Sequence, residues 1–243
     1  MNTSSAYPNS RDTHDTTDGR ILVWDLPVRL FHWLMAACFA GAFLTAESEH
    51  WRLVHVTLGY TVGGLVLFRL VWGIVGTKYA RFASFVRGPS SVWRYLLGVA
   101  RAHPDRHIGH NPAGAVVIVA MLTLACALTF TGWTAYNDVG GEWLNELHEG
   151  IANVMLALVG VHIAGVIASS WLHRENLIGA MVSGRKHGQP GEGVQNAWRS
   201  VAALMLVAVL TFWWWQWHAA PAASVSTHDA MSVRQTDRYD SDD

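Results

Sequence analysis

Charged residues are scarce in this chain: Asp, Glu, Lys and Arg make up 14% of its 243 residues, whereas 51% are apolar. Soluble domains carry about 25% charged residues, so this composition indicates that lipid surrounds much of the protein. The net charge is only −1. Because nucleic-acid binding depends on a basic patch, we expect no nucleic-acid partner.

Cysteine is also nearly absent. Cys38 and Cys126 both lie in apolar stretches, and the sequence C-x-x-C-H does not occur. Two isolated cysteines build neither a disulfide framework nor a zinc cluster, and the missing motif excludes covalent attachment of haem through it. The first residues also lack the apolar core of a signal peptide. Because residues 1–20 and 219–243 are polar, we expect both segments to be disordered.

Long apolar stretches are what the chain does have. A spanning helix needs about 20 such residues, and five stretches approach that length: Val28–Ala46, Leu53–Val75, Ala113–Thr134, Gly150–Leu172 and Val201–Trp217. We therefore predict an all-α membrane protein, an up-down four-helix transmembrane bundle with an appended fifth helix. The bundle would comprise residues 21–186, the linker residues 187–197 and the fifth helix residues 198–218.

The distribution of basic residues predicts the orientation of the chain. The loop joining the second and third spans holds Lys78, Arg81, Arg87, Arg94, Arg101 and Arg106, whereas the loop joining the first and second holds only Arg52. Cytoplasmic loops carry the excess of Lys and Arg. The sequence therefore predicts a multi-pass protein of the bacterial inner membrane with a cytoplasmic N-terminus.

Four of the thirteen histidines lie at or within the predicted spans, namely His32, His55, His148 and His162. His148 and His162 are fourteen residues apart, or four turns of about 3.5 residues, so they share one face of their helix. About 21 Å of helix separates them. From the direction of each span, His32 reaches the inner depth of His162 and His55 the outer depth of His148. Two histidine pairs result, one near each membrane surface.

Paired imidazoles from facing helices suit haem iron. Zinc fits poorly, because each pair lacks the further ligands of a tetrahedral site. Several glycines lie near the histidines in sequence and would let a flat macrocycle approach the backbone, although small residues of this kind also serve ordinary helix packing: Gly41, Gly59, Gly63, Gly64, Gly160 and Gly165. The histidines therefore predict two haem b groups.

Three polar residues near the inner surface are candidate quinone contacts. His173 and Arg174 follow the fourth span, and Arg69 lies near the inner end of the second. Quinone binding needs such a polar group near a haem edge. The alternative is that these are charges reaching the interface along their apolar stems. Arg69 would also suit a haem propionate.

Six segments resemble bacterial cytochrome b561 and the b-type subunit of nickel–iron hydrogenases: Val23–Trp33, Arg69–Phe82, His110–Gly114, His148–Val154, His162–Val166 and Ser169–Leu177. The resemblance implies haem ligands at His32, His55, His148 and His162. It also implies two haems b that carry electrons across the membrane, and exchange with the quinone pool and a redox partner. The fifth span departs from the four-helix pattern of that family, so the partner's identity does not follow.

Three functions remain open from the sequence. The first is a di-haem electron-transfer subunit that links quinone to a cytochrome or dehydrogenase partner. The second is a self-contained oxidoreductase that oxidises a small species such as superoxide and reduces quinone. The third, from another class, is a haem-free transporter or membrane anchor whose histidines relay protons. A proton relay requires neither matched depths nor a shared helical face, so the histidine pattern favours the first two.

Overall fold

The computed structural model describes residues 19–86, 88–101 and 108–219. The two predicted disordered segments, residues 1–20 and 219–243, lie outside this part of the chain except for their innermost residues. In chain order the elements are β1 (Arg20–Leu22), α1 (Leu26–Thr45), α2 (Arg52–Val75), α3 (Phe82–Phe85), α4 (Pro89–Ala100), α5 (Pro112–Tyr136), α6 (Trp143–Leu172), α7 (Leu177–Ser183), β2 (Arg185–His187) and α8 (Arg199–Ala219).

Within the described ranges, five helices are long and apolar enough to cross a membrane: α1, α2 with the preceding turn, α5, α6 and α8. The predicted all-α membrane fold is therefore confirmed. The largest difference lies in α6, which begins at Trp143 rather than near Gly150. His148 consequently lies more than a turn inside its helix instead of at the start.

The bundle is built by neighbouring helices that pack in sequence, α1 on α2, α2 on α5 and α5 on α6. Helix α8 packs on α1 and α2. All five helices contribute to one buried core, through residues such as Cys38, Leu65, Ala125, Met155 and Met205. The Trp213 indole also donates a hydrogen bond of 2.9 Å to the Thr61 hydroxyl. The fifth helix is thus a packed part of the bundle and adds to its core.

Two short antiparallel strands join the beginning of the bundle to the segment that follows α7. Strands β1 and β2 pair Ile21 with Lys186, and the Gly184 carbonyl accepts hydrogen bonds from the Val23 and Trp24 amides. Gly184 has φ 80°, and an added Cβ would come within 2.6 Å of the Trp24 carbonyl, so this turn requires glycine. We call β1 with β2 the clamp, the bundle end that bears it the clamp end, and the opposite end the far end.

Asp25 fixes the start of α1 at the clamp end. Its fully buried carboxylate accepts hydrogen bonds from the Val28 amide at 2.9 Å, the Trp72 indole at 3.1 Å and the Thr77 hydroxyl at 2.6 Å. The first of these is an N-terminal helix cap. The other two join α1 to the end of α2, so one side chain ties three segments together.

Candidate haem centres

The clamp-end pair consists of His32 on α1 and His162 on α6. The centres of the two half-buried rings lie 6.4 Å apart. The Nδ1 atom of His32 is buried and has no hydrogen-bond partner. The structure thus brings together two rings that are separated by 130 positions in the sequence, and the protein leaves at least one of their nitrogens unpaired.

The far-end pair consists of His55 on α2 and His148 on α6, with ring centres 6.3 Å apart. Here the protein engages one nitrogen of each ring. His55 Nδ1 lies 2.8 Å from the Ala42 carbonyl, which only accepts hydrogen bonds, so Nδ1 carries the proton. The Nε2 atom of His55 is therefore unprotonated in the neutral ring and free to bind a metal.

Thr131 has the same effect on His148. Its hydroxyl has one proton, which it donates to the Ala127 carbonyl at 2.9 Å. The same oxygen lies 2.9 Å from His148 Nδ1. With the hydroxyl proton donated to the carbonyl, this oxygen accepts a hydrogen bond from Nδ1–H, and in that tautomer Nε2 of His148 is free. Such outer hydrogen bonds orient metal-binding histidines and raise their basicity.

The separation of the rings fits one iron atom between each pair. Two metal–nitrogen bonds of about 2 Å, together with the radii of both rings, place the ring centres roughly 6 Å apart. No group of three or more His, Cys, Asp or Glu with metal-binding geometry occurs among the residues that the structure describes. Two ligands suffice for haem, because the porphyrin supplies the other four, whereas zinc requires more protein ligands.

The helices that carry each pair leave room between them, because α6 packs much more closely on α5 than on α1 or α2. The glycines that the sequence highlights divide into two groups. A Cβ at Gly41 or Gly63 would lie 2.8 Å from Leu58 or 2.6 Å from Thr129, so these two serve helix packing. The positions where a Cβ would meet nothing within 4 Å are Gly59, Gly64, Gly160 and Gly165. Only the second group is compatible with a macrocycle nearby.

The comparison with known families decides the class of protein. The family model described as prokaryotic cytochrome b561 matches residues 23–184, more than half of the chain. The chain belongs to the prokaryotic cytochrome b561 family. It is therefore a multi-pass bacterial membrane protein of a family of b-type cytochromes, which implies haem b as its cofactor. Family membership thus favours the two haem-based functions over the haem-free transporter or anchor.

Curated relatives of this cytochrome b561 family member are hydrogenase subunits. It is 25% identical over 142 residues to the probable Ni/Fe-hydrogenase 1 B-type cytochrome subunit of Escherichia coli K12, covering 48% of this chain and 60% of that subunit. It is 24% identical over 212 residues to the probable Ni/Fe-hydrogenase B-type cytochrome subunit of Rhizobium leguminosarum bv. viciae, covering 68% of this chain and 88% of that subunit. No solved structure matches the chain.

The three residues considered as quinone contacts occupy different places in this cytochrome. Arg69 is only 3% exposed and lies with its guanidinium carbon 4.7 Å from the centre of the Phe82 ring. His173 is half-buried at the end of α6, and Arg174 is exposed with φ 50°. Arg174 lines a shallow surface groove with Ile167 and Trp171. Arg69 is thus an interior residue, whereas Arg174 lies at the surface.

His110, which has no assigned role from the sequence, lies at the clamp end. Its ring packs between Trp24 and Phe85, with centre distances of 4.5 and 4.8 Å, and its Nδ1 is buried without a partner. Burial, followed by the positive charges of Arg69 and Lys186, lowers the pKa of His110 to about 3. His162 and His32 act in the same direction, which places His110 beside the clamp-end pair.

Sequence reasoning also misses Gly132 at the far end. A Cβ there would lie 3.0 Å from Cε1 of His148, so only glycine leaves the ring its present position without adjustment. Thr131, its neighbour in sequence, holds the same ring. In the sequence, Thr131 and Gly132 appear only as a Thr-Gly pair on α5. Their role beside His148 depends on which part of α6 packs against that pair. That relation becomes visible only when the helices are packed.

Proposed function

We propose that this cytochrome binds two haems b and transfers electrons across the bacterial inner membrane between the quinone pool and a redox partner. The supporting observation is the pair of two-histidine sites, one at each end of the bundle, with one ring of each pair on α6. Their α6 histidines are fourteen residues apart, or about 21 Å along the helix axis. The sites therefore lie at different depths in the membrane.

The residues have distinct roles in this proposal. His32 and His162 are the axial ligands at the clamp end, and His55 and His148 are those at the far end. When bound, haem supplies one-electron redox chemistry. Ala42 and Thr131 hold the far-end rings so that Nε2 of each faces the site. The bundle excludes water and keeps both pairs in a medium of low polarity.

The direction of the chain in the membrane follows from its charges. The clamp end carries Lys78, Arg81, Arg185, Lys186 and Arg199, and such residues remain cytoplasmic. We therefore place the N-terminus and the clamp end in the cytoplasm. A reporter enzyme that folds only outside the cytoplasm, fused after Val139, should be active, whereas the same reporter fused after Gly88 should be inactive.

A dehydrogenase is the partner that the relatives suggest, because their names describe hydrogenase subunits. The far end offers a surface for docking, with the exposed acidic residues Asp138, Glu142 and Glu146 between α5 and the beginning of α6. Acidic side chains favour a partner with a basic face. Quinone would exchange at the clamp end, where Arg174 and Trp171 line the groove that is open to lipid.

The test is the reduced-minus-oxidised visible spectrum of the purified protein, with the ratio of haem to chain. We expect two low-spin b haems in the wild type and one in either His162→Ala or His148→Ala. His50→Ala is the matched control, since His50 is an exposed histidine beside the far end whose ring packs on Trp51; it should retain two. A wild-type ratio of one would contradict the di-haem assignment.

The role in electron transfer is tested separately from haem content. In proteoliposomes, quinol added to the wild type should reduce both haems, and Arg174→Gln should slow this reduction. Sustained turnover of superoxide with quinone in the absence of any partner would instead identify a self-contained oxidoreductase.

A further inference from the structure

Four buried nitrogen atoms of the described residues have no partner in the protein, and all lie at the clamp end: Arg29 Nε, His32 Nδ1, Arg69 Nη1 and His110 Nδ1. Arg29 is already bonded to the Val182 carbonyl through its Nη2, and His32 belongs to the clamp-end pair. The other two are Nη1 of Arg69, a side chain only 3% exposed, and Nδ1 of His110. Buried polar groups are nearly always hydrogen-bonded, and an unpaired one costs about 1–3 kcal/mol, more when it is charged. The two atoms therefore indicate a bound group that the polypeptide does not supply.

The two side chains line one region. Arg69 lies over Phe82, the Phe82 and Phe85 ring centres are 5.9 Å apart, and Phe85 packs on His110 at 4.8 Å. The charge of Arg69 acts on His110, and so do the rings of His162 and His32. The unpaired nitrogens thus lie in one region at the clamp end, close enough to the His32 and His162 rings for their charges to act on His110.

Of the two cations in this region, Lys186 has a direct contact with a carboxylate and Arg69 has none among the described residues. Lys186 is paired with Glu175 at 3.0 Å and also donates to the Ile108 carbonyl. Asp25 lies near enough for its charge to act on Arg69, but its oxygens already accept three hydrogen bonds. Among the described residues Arg69 forms no ion pair. Arg69 therefore keeps a buried Nη1 donor for which the protein provides no acceptor, and the acceptors that bind a guanidinium most strongly are anionic oxygens.

The chemistry of the donors specifies the kind of anion. A guanidinium binds a carboxylate or phosphate through parallel hydrogen bonds, and a neutral imidazole donates one more. A quinone carbonyl offers a single neutral oxygen and cannot form these parallel hydrogen bonds. A carboxylate offers two anionic oxygens, so one group can accept from both unpaired nitrogens.

We propose that Arg69 and His110 form a carboxylate pocket that anchors a propionate of the haem held by His32 and His162. This inference rests on the proposed function. It assigns His110 a role and distinguishes between the two roles considered for Arg69. Both are positioning residues, because they act on the side chain of the cofactor and leave its iron to the histidines. The positive pocket also stabilises the reduced haem, which carries one more negative charge.

The test measures the midpoint potential of the clamp-end haem alone. Full-length His148→Ala protein, which should keep only that haem, is prepared without haem and reconstituted with haem or with its propionate dimethyl ester. Arg69→Gln and His110→Gln are added singly to this background. The matched control is Arg81→Gln, since Arg81 is an exposed arginine at the same end. Arg69→Lys keeps the charge without the two-pronged geometry and guards against a loss caused by misfolding.

With haem, we expect Arg69→Gln to lower the potential by at least the equivalent of a tenfold change in the redox equilibrium, about 59 mV for one electron. His110→Gln should lower it by less, Arg69→Lys should recover part of the loss, and Arg81→Gln should leave the potential unchanged. With the dimethyl ester, the effects of Arg69→Gln and His110→Gln should nearly vanish, because the carboxylate that they contact is gone.

Several results would overturn the pocket. Equal shifts of the midpoint potential with haem and with the ester would show that Arg69 acts without a propionate. No shift with either would show that Arg69 and His110 do not interact with the haem. A shift that persists with the ester and requires anionic phospholipid would identify a lipid phosphate as the anion. Failure of His148→Ala to retain any haem would contradict the proposed function instead, so the two failures are distinguishable.

Discussion

The two ends of the bundle hold the same pair of side chains in different surroundings. At the far end, hydrogen bonds from His55 to Ala42 and from His148 to Thr131 orient both rings. At the clamp end, Nδ1 of His32 has no such partner, and the cations Arg69 and Lys186 act on His110, whose charge interacts with those of His32 and His162. Hydrogen-bond acceptors raise the basicity of a ligand and lower the potential of its iron, whereas nearby positive charge raises that potential. The comparison predicts that the clamp-end haem has the higher potential.

The largest effect should come from filling the space beside the far-end ring. Gly132→Leu places a side chain where a Cβ alone would already lie 3.0 Å from His148, so the ring must leave its position and the far-end haem should be lost. Gly150→Leu is the control, because a Cβ there meets nothing within 4 Å. The haem-to-chain ratio should fall from two to one in the first variant only. A ratio of two in Gly132→Leu would show that His148 is not held by this contact.

The next effect concerns the stability of the clamp end. Asp25→Asn weakens three hydrogen bonds to a buried carboxylate, and hydrogen bonds to charged groups contribute about 1.5–3 kcal/mol each. We expect a loss of about 3 kcal/mol in the free energy of unfolding, measured in detergent by thermal melting. The clamp-end haem should dissociate first on heating. Simultaneous loss of both haems would mean that the two ends unfold as one unit.

A smaller effect should follow from removing the acceptor beside His148. Thr131→Val abolishes the hydrogen bond to Nδ1, and loss of such a bond typically costs 10- to 100-fold in metal affinity. We expect about tenfold weaker binding of the far-end haem and a higher midpoint potential for it. Thr123→Val is the matched control. Like Thr131, Thr123 donates its hydroxyl proton to the carbonyl four residues before it, but its side chain is exposed and distant from the histidines. Equal potentials in the two variants would remove hydrogen bonding as the cause of the difference between the ends.

The smallest effect is expected from Lys186. Its charge is partly offset by Glu175 at 3.0 Å, so Lys186→Met should lower the potential of the clamp-end haem by less than Arg69→Gln does. The far-end potential should not change. If the midpoint potentials of both haems fell together, the charge of Lys186 would act over the whole bundle. Local charge would then not explain a difference in potential between the two ends.

The transmembrane part of the fold was predictable because lipid imposes a simple requirement on composition. A spanning helix must be apolar over about 20 residues, and each of the five predicted stretches coincides with a helix of the structure. The start of α6 was placed too late because Trp143–Glu149 contains polar residues that extend the helix beyond the apolar core. The clamp was not predicted at all, since strands of three residues have too little pattern to be recognised.

The candidate site was predictable only in part. The separation of His148 and His162 on one helix follows from local geometry, and the pairing with His55 and His32 follows from the direction of each span. Their ligation of haem remains a prediction. Thr131, Gly132 and His110 could not be identified, because each matters through a side chain on another segment.

The amino-acid sequence by itself determined that this is a membrane protein, which five stretches form long apolar helices and which histidines stand at which end of the bundle. These properties depend on hydrophobicity and helical periodicity, which act over a few turns. Only the tertiary structure decided which nitrogen of each far-end ring is free, which glycine makes room for a ring and which buried cation lacks a partner. Those properties depend on contacts between segments far apart in sequence, and the physical cost of an unpaired or displaced group exists only once they are packed together.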